Sequence, residues 1–354
     1  MRVKLKPVSE QVVVVFGASS GIGRQAALDF AKKGAKIVVS ARSESGLFSL
    51  VEEIYEIKRE RRNDAEAIFV VADAANFDEV KAVADKAVET FGRLDTWVHS
   101  AATFLFAKFE DIEPHEFKRM VEVNLLGQVH GAMSALPHLR EKGGALIHLT
   151  SVEAWRTVPY QAAYGATKHG IKGFLQVLRV ELNHDKIPVS VTEIQPAAIN
   201  TPIYDKGRNK MPFKPRAVPP YYNPNVVSDA VLYAAENPTR DIIAGSAGLG
   251  VMFFERLSPR LTDVITGLIG FAGQTTTQPK DENAPDSLFE PMPNGEFDTV
   301  KGRFGYESLS FDPYTFLATN KTARRILLAT IGGFVGFAAL KRLKSKRDEN
   351  SLIG

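Results

Sequence analysis

The segment SVEAWRTVPYQAAYGATKHG, residues 151–170, sets Tyr164 and Lys168 four apart at the head of a long helical pattern. At that spacing two helical side chains share a face. A phenol has a reference pKa of about 10 and exchanges protons poorly near neutrality unless a neighbouring cation stabilises the phenolate. Lys168 is placed to supply that cation. A positioned acid or base of matched pKa contributes roughly 10² to 10⁴ in rate. The same pair also suits an ordinary solvated helix, so the elements around it have to decide.

A second stretch, VVVVFGASSGIG at residues 12–23, runs four valines into Phe16 and then into a glycine-rich turn followed by IGRQAALDFAKKG. This is a strand, a turn and a helix. Gly17 and Gly21 allow a tight turn and close approach of backbone to a ligand, while Gly23 lets the helix pack against the sheet. Free N–H groups at the helix start, aided by its dipole, favour a phosphate there. An ordinary βα turn is the alternative. Where an NAD site would carry an acidic residue on the second strand, this chain has Ala41 and Arg42. Arg42 can pair with a 2′-phosphate, which favours NADP(H). The competing reading makes Arg42 a solvated charge and gives the ribose to Glu44.

Strand candidates at 11–16, 35–40, 67–72, 96–101, 145–150 and 188–194 alternate with helical patterns at 22–33, 78–91, 114–139 and 164–182. Continuous Val/Ile runs imply strands buried on both faces, and the alternation implies parallel pairing through crossovers. The fold expected is α/β, a doubly wound parallel sheet of Rossmann type with a C-terminal helical extension. Residues 251–271 have the pattern of one or two apolar helices, and 274–299 the composition of a linker or surface loop. The organisation expected is a catalytic unit over 1–250, an extension over 251–320 and a helix with basic flanks over 321–347.

With these pieces in view, residues 8–250 resemble the short-chain dehydrogenase/reductase family. GASSGIG is similar to the family's cofactor turn and implies contacts from Gly17, Ser19, Ser20, Gly21, Ile22 and Gly23. Asp73 and Ala74 fall where the family holds the adenine ring, and Ala101 in the turn after the fourth strand; QPAAINTP implies nicotinamide contacts from Pro196, Ile199 and Thr201. The resemblance completes a catalytic tetrad of Asn124, Ser151, Tyr164 and Lys168. It implies that Ser151 binds the substrate oxygen, Tyr164 moves its proton, Lys168 binds the nicotinamide ribose and polarises Tyr164, and Asn124 holds a relay water. Three positions depart from the pattern: Phe16 for a threonine, His99-Ser100-Ala101-Ala102 for Asn-Asn-Ala-Gly, and Ala197 for a glycine. Either another brace replaces the missing one, or the cofactor pocket is looser.

The remaining features bound the function. A formal charge of +3 without a basic, aromatic-interleaved stripe argues against a nucleic-acid partner. The absence of cysteine removes thiolate chemistry and suits a reducing, cytoplasmic setting. The polar start MRVKLKPVSEQ is unlike a secretory signal. His99 and His148 fit a hydrogen-bonded core better than catalysis, His169 points off the shared face, and no histidines have metal-ligand spacing, so no metal is expected. KRERRND at 58–64 suits a solvated helix end.

Residues 158–160 and the proline-rich 211–224 match the family's substrate lid; Phe213, Tyr221 and Tyr222 there point to an apolar substrate or to a packed loop. Residues 326–340 are fifteen uncharged positions, about 22 Å as a helix against a bilayer core of about 30 Å. Membrane attachment by this tail, or a buried or oligomer-contact helix, are both open. The sequence thus predicts an NADP(H)-dependent oxidoreductase interconverting a carbonyl and an alcohol on a lipophilic substrate, as a homo-oligomer. The rival is a non-catalytic NADP-binding sensor or scaffold.

Overall fold

The computed structural model describes residues 3–281 and 284–330. Seven parallel strands form the central sheet: β1 Val12–Phe16, β2 Lys36–Ala41, β3 Glu66–Val71, β4 Thr96–His99, β5 Gly144–Leu149, β6 Val189–Pro196 and β7 Asp241–Ala244. Their spatial order is β3-β2-β1-β4-β5-β6-β7, every neighbouring pair parallel. The expected doubly wound sheet is therefore present. The order reverses between β1 and β4, so the cleft beyond their carboxyl ends is where such a sheet accepts a ligand.

Helices α1 Gly21–Lys32, α2 Glu44–Arg61, α3 Phe77–Phe91, α4 Pro114–Met120, α5 Gly127–Leu139, α6 Ala162–His184 and α7 Pro224–Glu236 cover both faces. Strand periodicity assigns β1 to two cores at once. Val13 and Val15 join Ile37, Phe30 and Val227 on one side, whereas Val12, Val14 and Phe16 join Leu146, Val83 and Leu175 on the other. Each such side chain, fully buried, contributes about 1.5–3 kcal/mol. That is why a near-continuous apolar run becomes the centre of the sheet. Asn76 caps α3 through its side chain, and Gly92 closes it in the left-handed region.

The single helix expected over 114–139 is in fact three pieces, because a π-helical segment, Val121–Leu126, joins α4 to α5. Strand β7 and helix α7 were not foreseen, and of α2 only the charged end at 58–64 was. The apolar 251–271 stretch becomes two helices, α8 Ala247–Leu257 and α9 Pro259–Gln274, divided at Ser258, whose side chain caps α9. A short helix α10, Pro313–Thr319, follows, and residues 321–330 are helical.

The segment expected to be a linker is tied to the body instead. Ser287 N–H donates to the Lys206 carbonyl at 2.7 Å, Gly21 N–H donates to the Thr299 carbonyl at 2.8 Å, and Leu288 is fully buried. Its polar composition misled because main-chain groups make these attachments. Among the described residues no helix is long and apolar enough to cross a membrane. Residues 331–347 of the expected tail helix lie outside the described residues.

Candidate active site

The glycine turn is as compact as its composition requires. Gly17 has φ +89°, and a Cβ there would lie 2.3 Å from the Ala101 backbone nitrogen. A Cβ on Gly23 would lie 2.1 Å from the Gly17 carbonyl. Only glycine fits either place. Ser20 starts α1 without capping it by its side chain, and of the backbone donors at the helix start the Gly21 N–H is taken by the Thr299 carbonyl. The buried Arg24 braces the turn from beneath, donating to the carbonyls of Ser19 at 3.2 Å and Gly46 at 2.9 Å.

The departures at Phe16 and His99 form an alternative brace. Phe16, His99 and His148 are register neighbours on β1, β4 and β5, and their rings stack with centroids 5.1 and 6.1 Å apart. Gln128 locks the ladder by bonding His148 Nδ1 at 2.6 Å and donating to the Leu149 carbonyl at 3.2 Å. Burial pushes both imidazoles down, His148 to about 3, so they are neutral core rings. This matches the core role expected for them. Gln128 carried no sequence signal.

Ser151 follows directly on strand β5, and the first two turns of α6 deliver Tyr164 and Lys168. Ser151 Oγ accepts from the Glu153 N–H at 3.1 Å. Lys168 Nζ sits 5.1 Å from the Tyr164 ring centroid and donates to the Leu149 carbonyl at 3.2 Å. Burial lowers Lys168 to about 8 against the pull of Glu153 and Glu193. Tyr164, by contrast, is pushed well above its ordinary value, by burial first and by the Glu153 charge second, with the Ser151 hydrogen bond opposing. Burial thus favours the protonated phenol, against the expectation of an acidified one. The Asn124 side chain is engaged at both ends. It accepts from Thr103 N–H at 2.7 Å and donates to the Thr103 carbonyl at 2.9 Å, and so braces the turn after β4.

Two adjoining cavities meet here. The larger, about 430 Å³, is lined by Ser151, Tyr164, Lys168, Pro196, Ile199 and Thr201, with Phe254 of α8 and Ile265 and Ile269 of α9 on its far wall. The smaller, about 150 Å³, is lined by Gly17, Ser19, Ser20, Gly21, Arg42, Asp73, Ala74 and Ala101. Ile22 and Thr201 border both. Gly23 and Asn124 line neither and act through packing and bracing.

Residues 287–299 roof the smaller cavity. Arg42 Nη2 donates to the Ser287 carbonyl and Nη1 to the Phe289 carbonyl, each at 2.7 Å. It is thus neither a free phosphate ligand nor a solvated charge, and Glu44 is exposed. Two of the five guanidinium donors are engaged, which leaves three. Asp73 pairs with Arg119 at 2.5 Å, and Arg119 reaches the Leu288 carbonyl at 3.2 Å. Asp298 accepts from Ser43, the N-cap of α2, and so puts a carboxylate on the lining of the smaller cavity. Lys206, with its pKa lowered by burial, donates to Ser20 Oγ at 2.6 Å. Arg119, Lys206 and Asp298 were not among the expected site residues, because nothing in their local sequence marks them.

The residues present fit a nicotinamide dinucleotide. The cradle excludes a Cβ at Gly17, Ser20 leaves the first turn of α1 without a side-chain cap, and the Lys206 ammonium borders the same cavity, donating to Ser20 Oγ.

Comparison with known proteins agrees. A sequence model of the short chain dehydrogenase family matches residues 11–212. The chain is 35% identical to the uncharacterized oxidoreductase YxnA of Bacillus subtilis over 97% of its own length and 94% of that protein. It is 34% identical to 11-beta-hydroxysteroid dehydrogenase 1A of Arabidopsis thaliana over 54% of this chain and 53% of that one. An alcohol dehydrogenase from Thermococcus sibiricus, solved with 5-hydroxy-NADP, superposes with a TM-score of 0.56 at 26% identity, covering 66% of this chain and 95% of that one. Because the glycine cradle and the Ser151, Tyr164 and Lys168 wall lie inside the matched region, the chain belongs to the short-chain dehydrogenase/reductase family and is an oxidoreductase.

Proposed function

We propose that the protein reduces the carbonyl group of a lipophilic substrate at the expense of NADPH. The observation that carries this reading is the meeting of Ser151, Tyr164 and Lys168 on one wall of the larger cavity, at its border with the glycine turn. The bound dihydronicotinamide supplies the hydride for the carbonyl carbon. The chain's own residues handle the oxygen. Ser151 donates to it, Tyr164 passes its proton to the developing alkoxide, and the Lys168 ammonium stabilises the phenolate left behind. A protonated Tyr164 beside a charged Lys168 at neutral pH is the state required for reduction. Asn124 holds the Thr103 turn in place rather than moving protons through its side chain.

NADP(H) is supported by the three remaining donors of Arg42, by Lys206 and by the lack of a carboxylate on β2 itself. The lipophilic substrate is supported by the apolar far wall and by the hydroxysteroid dehydrogenase named among the relatives. In the same reading, residues 1–250 are the catalytic unit and 251–320 wall and roof it. Exposed Leu126, Met133, Val177 and Val180 on the outer helices support a homo-oligomer, and exposed Ile326, Leu327 and Leu328 support attachment of the tail to a membrane. A sensor or scaffold would need no catalytic wall. Screening aldehydes and ketones against NADPH and NADH tests the proposal: turnover with NADPH supports it, and tight NADPH binding without any turnover would favour the sensor.

A further inference from the structure

Glu153, Arg156 and Gln161 line the larger cavity without a part in the reduction, and of the three Glu153 is the carboxyl beside the reacting groups. Glu153 lies two residues beyond Ser151 in the short 3₁₀ turn Val152–Ala154 and lines the same space as Ser151, Tyr164 and Lys168. Its Oε2 is buried and has no hydrogen-bond partner among the described residues. The cavity lining is mainly apolar, with Val152, Val158 and Phe254 among it, and Lys168 and Arg156 are its basic members. A charged carboxylate would be costly there. Burial accordingly holds the group protonated near neutrality, pushed up to about 8 although the Lys168 charge pulls the other way. A neutral carboxyl carries one O–H donor. Left unpaired in a buried place, such a donor costs about 1–3 kcal/mol.

We propose that Glu153 is a specificity-determining residue whose carboxyl O–H donates to a second oxygen of the substrate, so that the protein takes oxygenated aldehydes or ketones in preference to purely hydrocarbon ones. The inference rests on the carbonyl-reduction reading and refines its substrate class. Hydrocarbon ketones leave the donor dangling; an ether, hydroxyl or second carbonyl oxygen satisfies it. Discrimination of this kind, by a site group that loses its partner, is stronger than discrimination by shape alone.

Ring ketones that differ in one atom provide the test: cyclohexanone against tetrahydropyran-3-one and tetrahydropyran-4-one, with the full chain and NADPH. The quantity read is kcat/KM for each oxygen-bearing ring divided by that for cyclohexanone. In the wild type this ratio, for at least one of the two ethers, should exceed that of Glu153→Leu by about tenfold. Glu153→Gln keeps an N–H donor and should retain most of the preference. Glu153→Ala repeats the comparison should leucine strain the fold. Equal ratios in wild type and both apolar variants, with cyclohexanone still reduced, overturn the assignment of Glu153 alone. Failure of the wild type to reduce any carbonyl overturns the underlying reading, and this inference with it.

Discussion

The two halves of the cleft are built from different parts of the chain. The reacting wall is made of side chains on regular elements, Ser151 at the end of β5 and Tyr164 and Lys168 on the first turns of α6. The smaller cavity, beside the glycine turn, is closed by residues 287–299, whose contacts are mainly backbone carbonyls offered to Arg42, Arg119 and Gly21. The difference separates two jobs. Chemistry needs particular functional groups at fixed spacing, whereas a roof needs only carbonyls that any residue supplies. Substitutions on the wall should therefore change turnover, and substitutions under the roof should change cofactor affinity.

The largest effect expected is that of Tyr164→Phe, which removes the proton donor and should lower kcat by about 10² to 10⁴ in steady-state carbonyl reduction. Comparable turnover in that variant would break the division between wall and roof. A smaller but still large effect belongs to Arg42→Ala, which loses two hydrogen bonds to the roof and the candidate phosphate partner. NADPH should weaken by about 10- to 100-fold, at roughly 1.5–3 kcal/mol for bonds to a charged group, and NADH by less. Equal losses would mean that Arg42 serves only to hold Ser287 and Phe289.

A pH profile gives an intermediate test on the wall. Below about 8 Lys168 is charged and Glu153 neutral, and above it Lys168 loses its proton while Glu153 gains a charge facing Tyr164, Lys168 and Tyr204. Both changes disfavour proton donation, so kcat/KM for reduction should be level below this point and fall above it. Glu153→Gln should remove one of the two contributions and make the fall shallower. The smallest effect concerns the roof's own charge. Asp298 stands by Ser43, so Asp298→Asn should tighten NADPH severalfold in a fluorescence titration and leave NADH nearly unchanged.

What could be seen in advance follows the same division. The valines of β1, the glycines at 17, 21 and 23 and the Tyr-x-x-x-Lys spacing are constrained by geometry, and each lies where its type implied. The brace replacing the usual asparagine turn could not be foreseen, since it depends on three rings from separate strands stacking in register. Nor could the partners of Arg42, which come from carbonyls about 245 residues further along the chain. That the Tyr164 phenol is raised rather than acidified also has a physical reason. Burial first and the Glu153 charge second raise the phenol, and only the Ser151 hydrogen bond opposes them.

The central claim, that the Ser151–Tyr164–Lys168 wall performs the chemistry while the roofed half holds the coenzyme, is tested most directly by NADPH affinity. Fluorescence titration of the wild type, Tyr164→Phe and Arg42→Ala in parallel should show wild-type affinity for Tyr164→Phe and a loss of about tenfold or more for Arg42→Ala. Loss of binding in Tyr164→Phe together with wild-type binding in Arg42→Ala would contradict it.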